Sequence, residues 1–352
     1  MSDAMTLFSQ ALEQLRLAAV NVPGLTDLAG APFLFRPLVM VVLLGVVAGV
    51  IGVIVNLRSA EFSAEAMVHA VFPGIVAGAV YWGIDAIIPA ASVVAVAAAV
   101  VLTIVSHRSH RGEASEAGTA VVLTSFFSVG LILSLAKGDM SGQLEALMFG
   151  RLLEVTDERL AQAFIVCAIA LLLIVATWKE QVAYAFDRTG ARASGLRLLM
   201  LDLVLNTAIA AAVVSASTAV GILLVIGYLV IPGATARILA SRVRTMVLVA
   251  IAVGVGGGYL GMLLMALPET LDKPISPQAT VALVMTGILL LAVCVAAVRE
   301  RLRRPARRAR SAQPATAVST STTASADATV DRAGGPEGSA SAVAPMAEGG
   351  RA

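Results

Sequence analysis

Nine apolar runs, most of them about 20 residues long and almost free of charge, dominate the chain. They fall at about 37–57, 63–84, 87–106, 118–136, 161–178, 198–214, 218–231, 245–267 and 277–298. A helix needs roughly 20 such residues to cross the ~30 Å hydrocarbon core of a bilayer. In lipid only helices and closed barrels satisfy their own backbone. These runs are continuous rather than alternating, so they read as helices. The expected fold is therefore all-α: a polytopic membrane helical bundle of eight or nine transmembrane helices. The count depends on the two short runs between 198 and 231, which are split near Ser215–Ser217.

Composition agrees. The chain has 352 residues, 58% hydrophobic and 14% charged, whereas soluble domains are nearer ~45–50% apolar and ~25% charged. The formal net charge is only +2, so no bulk basicity points to nucleic acid. The two cysteines, Cys167 and Cys294, lie inside apolar runs and form neither a disulfide framework nor a metal-ligand spacing. Residues 1–34 form an N-terminal amphipathic and loop segment, with apolar positions at Leu7, Ala11, Leu12, Leu15 and Ala18 suited to a membrane surface. They lack the pattern of a cleaved signal peptide. Residues 35–298 make the transmembrane domain, and 299–352 a basic, then disordered, tail.

Lys and Arg set the orientation. One set of loops holds Arg58, Arg108, Arg111, Lys179, Arg188, Arg192, Arg197, Arg237, Arg242, Arg244 and seven arginines from Arg299 to Arg310. The opposite loops hold Lys137, Arg151, Arg159 and Lys273, beside several acids. The first set is expected in the cytoplasm, with the C-terminal tail. Nine spans put the N-terminus outside; eight put it inside. The basic start of the tail suits anionic lipid headgroups.

Within the second run, Glu65 and His69 stand four residues apart, on one face of a helix. Pro73 and Gly74 follow and invite a kink. Two readings compete. The pair could be a helix start, with Glu65 solvated and His69 hydrogen-bonded between helices. Or it could serve a divalent cation, since ionisable groups inside a membrane segment are costly and tend to be functional. One pair supplies too few donors for an ion; two copies in a homodimer would supply four side chains around a central path.

Other candidates are weaker. His107 and His110 sit among Arg108 and Arg111, which repel a cation, and read as ordinary loop residues. Asp202 and Asn206, also four apart, read as helix-end solvation or interhelical hydrogen bonding. Residues 256–261 satisfy GxGxxG, but inside an apolar span that follows no strand they read as close helix packing. No Gly is followed by Lys, so there is no P-loop, and no Ser/His/Asp arrangement reads as a hydrolytic site. No catalytic residue and no permanently bound cofactor is expected. The polar segment around 185–197 reads as a short helix flanked by turns, able to dock into a groove on a cytoplasmic partner.

Several stretches together resemble a known family. Glu65-Ala66-Met67-Val68-His69-Ala70-Val71-Phe72-Pro73-Gly74, after Leu57-Arg58, is similar to an Asp-Ala-x-x-His-Ala-x-Leu-Pro-Gly motif. Residues 113–119 resemble an acidic cytoplasmic loop, and 147–153 a Leu-Phe-Gly-x-x-Leu segment. Ala185-Phe186-Asp187 with Ala191-Arg192-Ala193-Ser194-Gly195 resembles Asp-Pro-Glu-x-Ala-x-Ala-Leu-Gly. Pro232-Gly233-Ala234-Thr235-Ala236-Arg237 resembles Pro-Ala-Ala-Thr-Ala-Arg. These motifs belong to the permease subunits of ABC importers for manganese, zinc and iron, the ABC-3 family. Two departures are Glu65 for Asp, one methylene longer, and Gly233 for Ala, expected to be mild.

The resemblance implies a membrane-spanning, non-enzymatic subunit in a bacterial plasma membrane, with an ABC importer permease fold. It would carry a divalent transition metal (Mn, Zn or Fe) as a homodimer. Its partners would be cytoplasmic ABC ATPase subunits and an extracytoplasmic metal-binding protein. The metal residues would be Glu65 and His69, and the ATPase coupling loop Asp187, Ala191, Arg192, Ala193 and Gly195. An ATPase-independent secondary transporter, or an importer of a metal chelate, is the alternative.

Overall fold

The structure is a computed structural model that describes residues 2–108, 112–136, 150–266 and 276–311. Two compact units divide the chain at Leu302 and Arg303; all that follows concerns the first. Among the described residues the secondary structure is helical, without a strand. The α-helices are α1 Ser2–Val20, α2 Thr26–Gly30, α3 Pro32–Leu57, α4 Glu61–Ala70, α5 Phe72–Ala77, α6 Ile87–Arg108 and α7 Gly112–Leu135. Then come α8 Asp157–Ala176, α9 Trp178–Phe186, α10 Arg188–Ala193, α11 Leu198–Val220, α12 Ile222–Leu239, α13 Val243–Ala266 and α14 Pro277–Ser311.

Eight of the described helical segments are long and apolar enough to cross a membrane, and α12 is a shorter ninth. At 18 residues, α12 is about 27 Å long, close to the hydrocarbon thickness. It crosses α3 lengthwise. Its first residues follow Gly221, against which Gly150 of the extracytoplasmic loop packs. Near its other end Arg237 reaches Asn56 at the cytoplasmic end of α3, Nη1 donating to the Asn56 carbonyl at 2.7 Å. Eight is thus the count of full-length apolar spans among the described residues, and α12 is the short run on which a ninth depends.

The break between α11 and α12 falls at Gly221, not at Ser215–Ser217. Ser215 Oγ donates to the Ala211 carbonyl at 2.9 Å, and Ser217 Oγ to the Val214 carbonyl at 2.9 Å. Both hydroxyls are satisfied inside the helix, so α11 runs through them. Gly221 has φ +82°, a left-handed conformation that ends the helix.

At the centre lies α3, the most buried span, packed most extensively against α13 and α12 and also against α8 and α11, which pack on each other. Small residues set the distances. A Cβ on Gly45 would sit 2.6 Å from the Val255 amide nitrogen, and one on Gly49 2.8 Å from that of Ile251, so α3 and α13 touch backbone to backbone. A Cβ on Gly233 would lie 2.4 Å from the Gly52 carbonyl oxygen. Gly233 is therefore not a mild exchange for Ala: it is what lets α12 reach α3. Gly257, Gly258 and Gly261 also serve packing, whereas Gly256 faces open space. A Cβ on Gly258 would strike Val41, and one on Gly261 would strike Val281 of α14.

The N-terminal helix is held to this body. Arg36 of α3 pairs with Asp157 at the start of α8, and Ser9 of α1 donates to the same carboxylate at 3.0 Å. Leu12 packs against the core, while Leu7 and Leu15 stay exposed.

Candidate metal site and coupling segment

The second span is interrupted where Pro73 and Gly74 predict it. The helix α4 ends at Ala70, Val71 caps it, and α5 restarts at Phe72 with proline in its first turn. The span finishes in a π-helical turn, Gly78–Trp82. From α7, Gly130 fits against the break: a Cβ there would lie 2.5 Å from the Phe72 ring and 3.0 Å from the Pro73 nitrogen.

On α4, Ala64, Ala66, Met67, Val68 and Ala70 are buried. Glu65 is exposed and His69 half-buried, so the less buried stripe of α4 carries the carboxylate and the imidazole. His69 Nδ1 lies 3.1 Å from the Glu65 carbonyl oxygen. A carbonyl can only accept, so this contact puts the proton on Nδ1 and leaves the Nε2 lone pair of the neutral ring free for a metal. Phe127 of α7 buttresses the imidazole edge-on, ring centroids 5.5 Å apart, and itself packs on Phe72 at 5.1 Å. Among the described residues no three acidic, His or Cys side chains gather into a metal site within one chain.

The cytoplasmic segment forms two short helices, α9 and α10. Asp187 caps α10: it accepts from the Gly190 backbone N–H at 2.9 Å and the Thr189 hydroxyl at 2.8 Å. These bonds, the Gly190 N–H foremost, hold its carboxyl below the usual range. A Cβ on Gly190 would lie 2.2 Å from the Asp187 carboxylate, so the glycine makes the cap possible. Ala191 is buried with Tyr184, Leu198 and Leu201, fastening α10 to α9 and α11. Arg192 and Ala193 are exposed, as is Gly195 (φ +81°) just past the helix end. Phe186 is 71% exposed beside them, an apolar knob on a polar face.

Other expectations have mixed outcomes. Residues 113–119 belong to the first turns of α7 rather than to a loop. His110 and residues 147–149 lie outside the described residues. His107 ends α6 instead of lying in a loop, 3.7 Å from Asp202. Asn206 makes the expected interhelical bond, donating to Thr103 Oγ1 at 2.9 Å. The residue that the pattern missed is Arg58, which serves in the sequence only as a cytoplasmic marker. It is ion-paired with Asp202, its side chain 9% exposed. The sequence holds one hint: both charges sit at the cytoplasmic ends of apolar runs, where a long-range pair can form.

Comparison with known proteins places these features. The model of the ABC 3 transport family matches residues 30–296. A manganese transport system membrane protein, MntC of Listeria monocytogenes, is 33% identical over 231 residues, covering 65% of this chain and 80% of the relative. A chelated iron transport system membrane protein, YfeC of Yersinia pestis, is 31% identical over 212 residues, covering 60% of this chain and 70% of the relative. Among solved structures, PsaBC from Streptococcus pneumoniae in complex with Fab superposes with TM-score 0.65 at 25% identity, over 76% of this chain and 94% of that one. A metal-chelate type ABC transporter in an inward-facing conformation shares the fold, with TM-score 0.59 at 12% identity.

Proposed function

The chain belongs to the ABC 3 transport family, and from that premise we propose how it handles its cargo. It is the membrane-spanning permease subunit of an ATP-binding cassette importer of transition metal, a multi-pass protein of the bacterial plasma membrane. Two copies face each other across the pathway. Glu65 and His69 from each copy form a transient four-donor site for a divalent ion. Manganese and iron, carried by the relatives named above, suit a carboxylate–imidazole set, and zinc fits the imidazoles.

One observation carries this reading. The less buried stripe of α4, on a span most of which is buried, holds a carboxylate and an imidazole whose Nδ1 is engaged by the helix backbone, leaving Nε2 for a ligand. Lipid is a poor neighbour for such groups. A second copy supplies both the missing ligands and the polar surroundings.

Cytoplasmic ATPase subunits engage α10, whose exposed Arg192 and Ala193 and neighbouring Phe186 offer a docking face. An extracytoplasmic metal-binding protein delivers the ion to the opposite side. The test is metal uptake in cells whose only importer of this kind carries His69→Ala. Uptake is expected to be lost at normal expression; wild-type uptake would remove the site assignment.

A further inference from the structure

Three residues before α4 begins, the cytoplasmic end of α3 carries a cluster that joins four helices. Arg58 of α3 pairs through Nη2 with Asp202 of α11 and donates through Nη1 to Gln181 Oε1 of α9 at 2.7 Å. Its guanidinium stacks on the Tyr184 ring of α9, 4.0 Å from the centroid. Tyr184 donates its hydroxyl to the other Asp202 oxygen at 3.4 Å, and Gln181 Nε2 donates to the Leu201 carbonyl at 2.9 Å. His107 of α6 lies 3.7 Å from Asp202.

Both sides of the cluster have a use. On one side, Tyr184 packs with Ala191 of α10, the helix assigned to ATPase docking. On the other side, Arg58 is followed by Ser59 at φ +52°, a left-handed conformation unfavourable for a residue with a Cβ. That turn leads directly into α4 and hence to Glu65. It is fixed from a second direction by Arg237, whose guanidinium sits on the Asn56 carbonyl at the C-terminus of α3. A cavity of about 290 Å³, walled by Ser59, Ser63, Glu116 and Asn206 among others, adjoins the turn and gives it room to shift.

We propose that Arg58 and Asp202 are positioning residues of the transport cycle: their ion pair, held by Tyr184 and Gln181, links movement of α9–α10 to the turn that sets Glu65 and His69. The proposal rests on the reading of α10 as the ATPase contact and of Glu65/His69 as the cargo site. Neither residue touches the ion. An ATPase-driven displacement of α9–α10 carries Tyr184 and Gln181 with it. Arg58 then pulls on the Ser59 turn, and α4 follows. Without the charge pair, the ATPase still turns over but α4 does not follow.

The test uses the full complex of this chain with its ATPase subunits in proteoliposomes. Mn²⁺ uptake and ATP hydrolysis are measured in the same vesicles. Asp202→Asn, close in shape but uncharged, is expected to lower ions moved per ATP about 10-fold while hydrolysis stays within about 2-fold of the unaltered complex. Asp202→Glu, which keeps the charge, is expected to restore most of the ratio. Tyr184→Phe, which removes only the hydroxyl, is expected to lower the same ratio more mildly and serves should Asp202→Asn fail to assemble. An unchanged ratio in Asp202→Asn and Tyr184→Phe would overturn the proposal. So would a parallel fall of uptake and hydrolysis with loss of thermal stability, the signature of a purely structural pair. His69→Ala in the same vesicles separates the two levels: full uptake by that variant would remove the cargo-site reading itself.

Discussion

Two groups of ionisable side chains lie seven residues apart at the start of the second span, and they are opposites. The Arg58 guanidinium is matched inside the chain by a carboxylate, an amide and an aromatic face. Around Glu65 and His69 the polar matching among the described residues stops at the helix backbone: the carboxylate is exposed, and the half-buried imidazole bonds only the Glu65 carbonyl beside its edge-on contact with Phe127. The first arrangement favours one rigid state, because an unpaired charge at that depth is costly. The second suits a ligand that must arrive and leave. A closed cluster beside an open one is the arrangement that the proposed cargo site and coupling route call for.

That contrast predicts opposite phenotypes. The largest effect is on transport: Glu65→Ala and His69→Ala are each expected to reduce Mn²⁺ uptake at least about 10-fold to 100-fold, as loss of groups that hold a metal does. Glu65→Ala is expected to leave thermal stability in detergent within about 0.5 kcal/mol, because it removes no internal partner, whereas His69→Ala also loses the edge-on contact with Phe127 and is expected to cost about 0.5–1.5 kcal/mol. Asp202→Ala reverses the pattern. It strands Arg58, whose side chain is 9% exposed, and is expected to destabilise the protein by about 3–5 kcal/mol, read as a lowered melting temperature. Equal stability losses at Glu65 and Asp202 would erase the distinction.

A third substitution probes the framework that holds both clusters at their separation. Gly233→Ala places a Cβ 2.4 Å from the Gly52 carbonyl oxygen and is expected to cost about 1–3 kcal/mol by overpacking. Thermal unfolding beside Gly256→Ala, where a Cβ meets nothing within 4 Å, supplies the control.

The smallest effect concerns pH. The Asp187 carboxyl is held below its usual range by the Gly190 N–H and the Thr189 hydroxyl. The cap is therefore at full strength above the unfolded carboxylate range and is lost as pH falls through the lowered folded value. Affinity for the ATPase subunits is expected to weaken as the medium is acidified through that window. Asp187→Ala is expected to remove this pH dependence and leave the weaker affinity at every pH.

How much of this could be read from the sequence follows from how local each feature is. The spans were legible because one apolar stretch is one helix. Glu65 and His69 were legible because four residues of spacing is one face of a helix, and the break after them because proline and glycine act where they stand. Arg58 and Asp202 are 144 residues apart, and no periodicity links them. The end of α11 was misplaced for the same reason in reverse. Ser215 and Ser217 look like an interruption by composition, yet their hydroxyls bond within the helix, and Gly221, with its positive φ, ends it. Gly233 differs from Ala by one methyl group in sequence. Its importance appears only when the Gly52 carbonyl is seen against it.

The central claim is that the cargo ion is shared between two copies of α4. Equilibrium dialysis of Mn²⁺ against the purified protein in lipid nanodiscs tests it most directly. The account predicts one ion bound per two chains, and none when His69 is replaced by Ala. One ion per chain, or binding that persists in the His69→Ala protein, would contradict it.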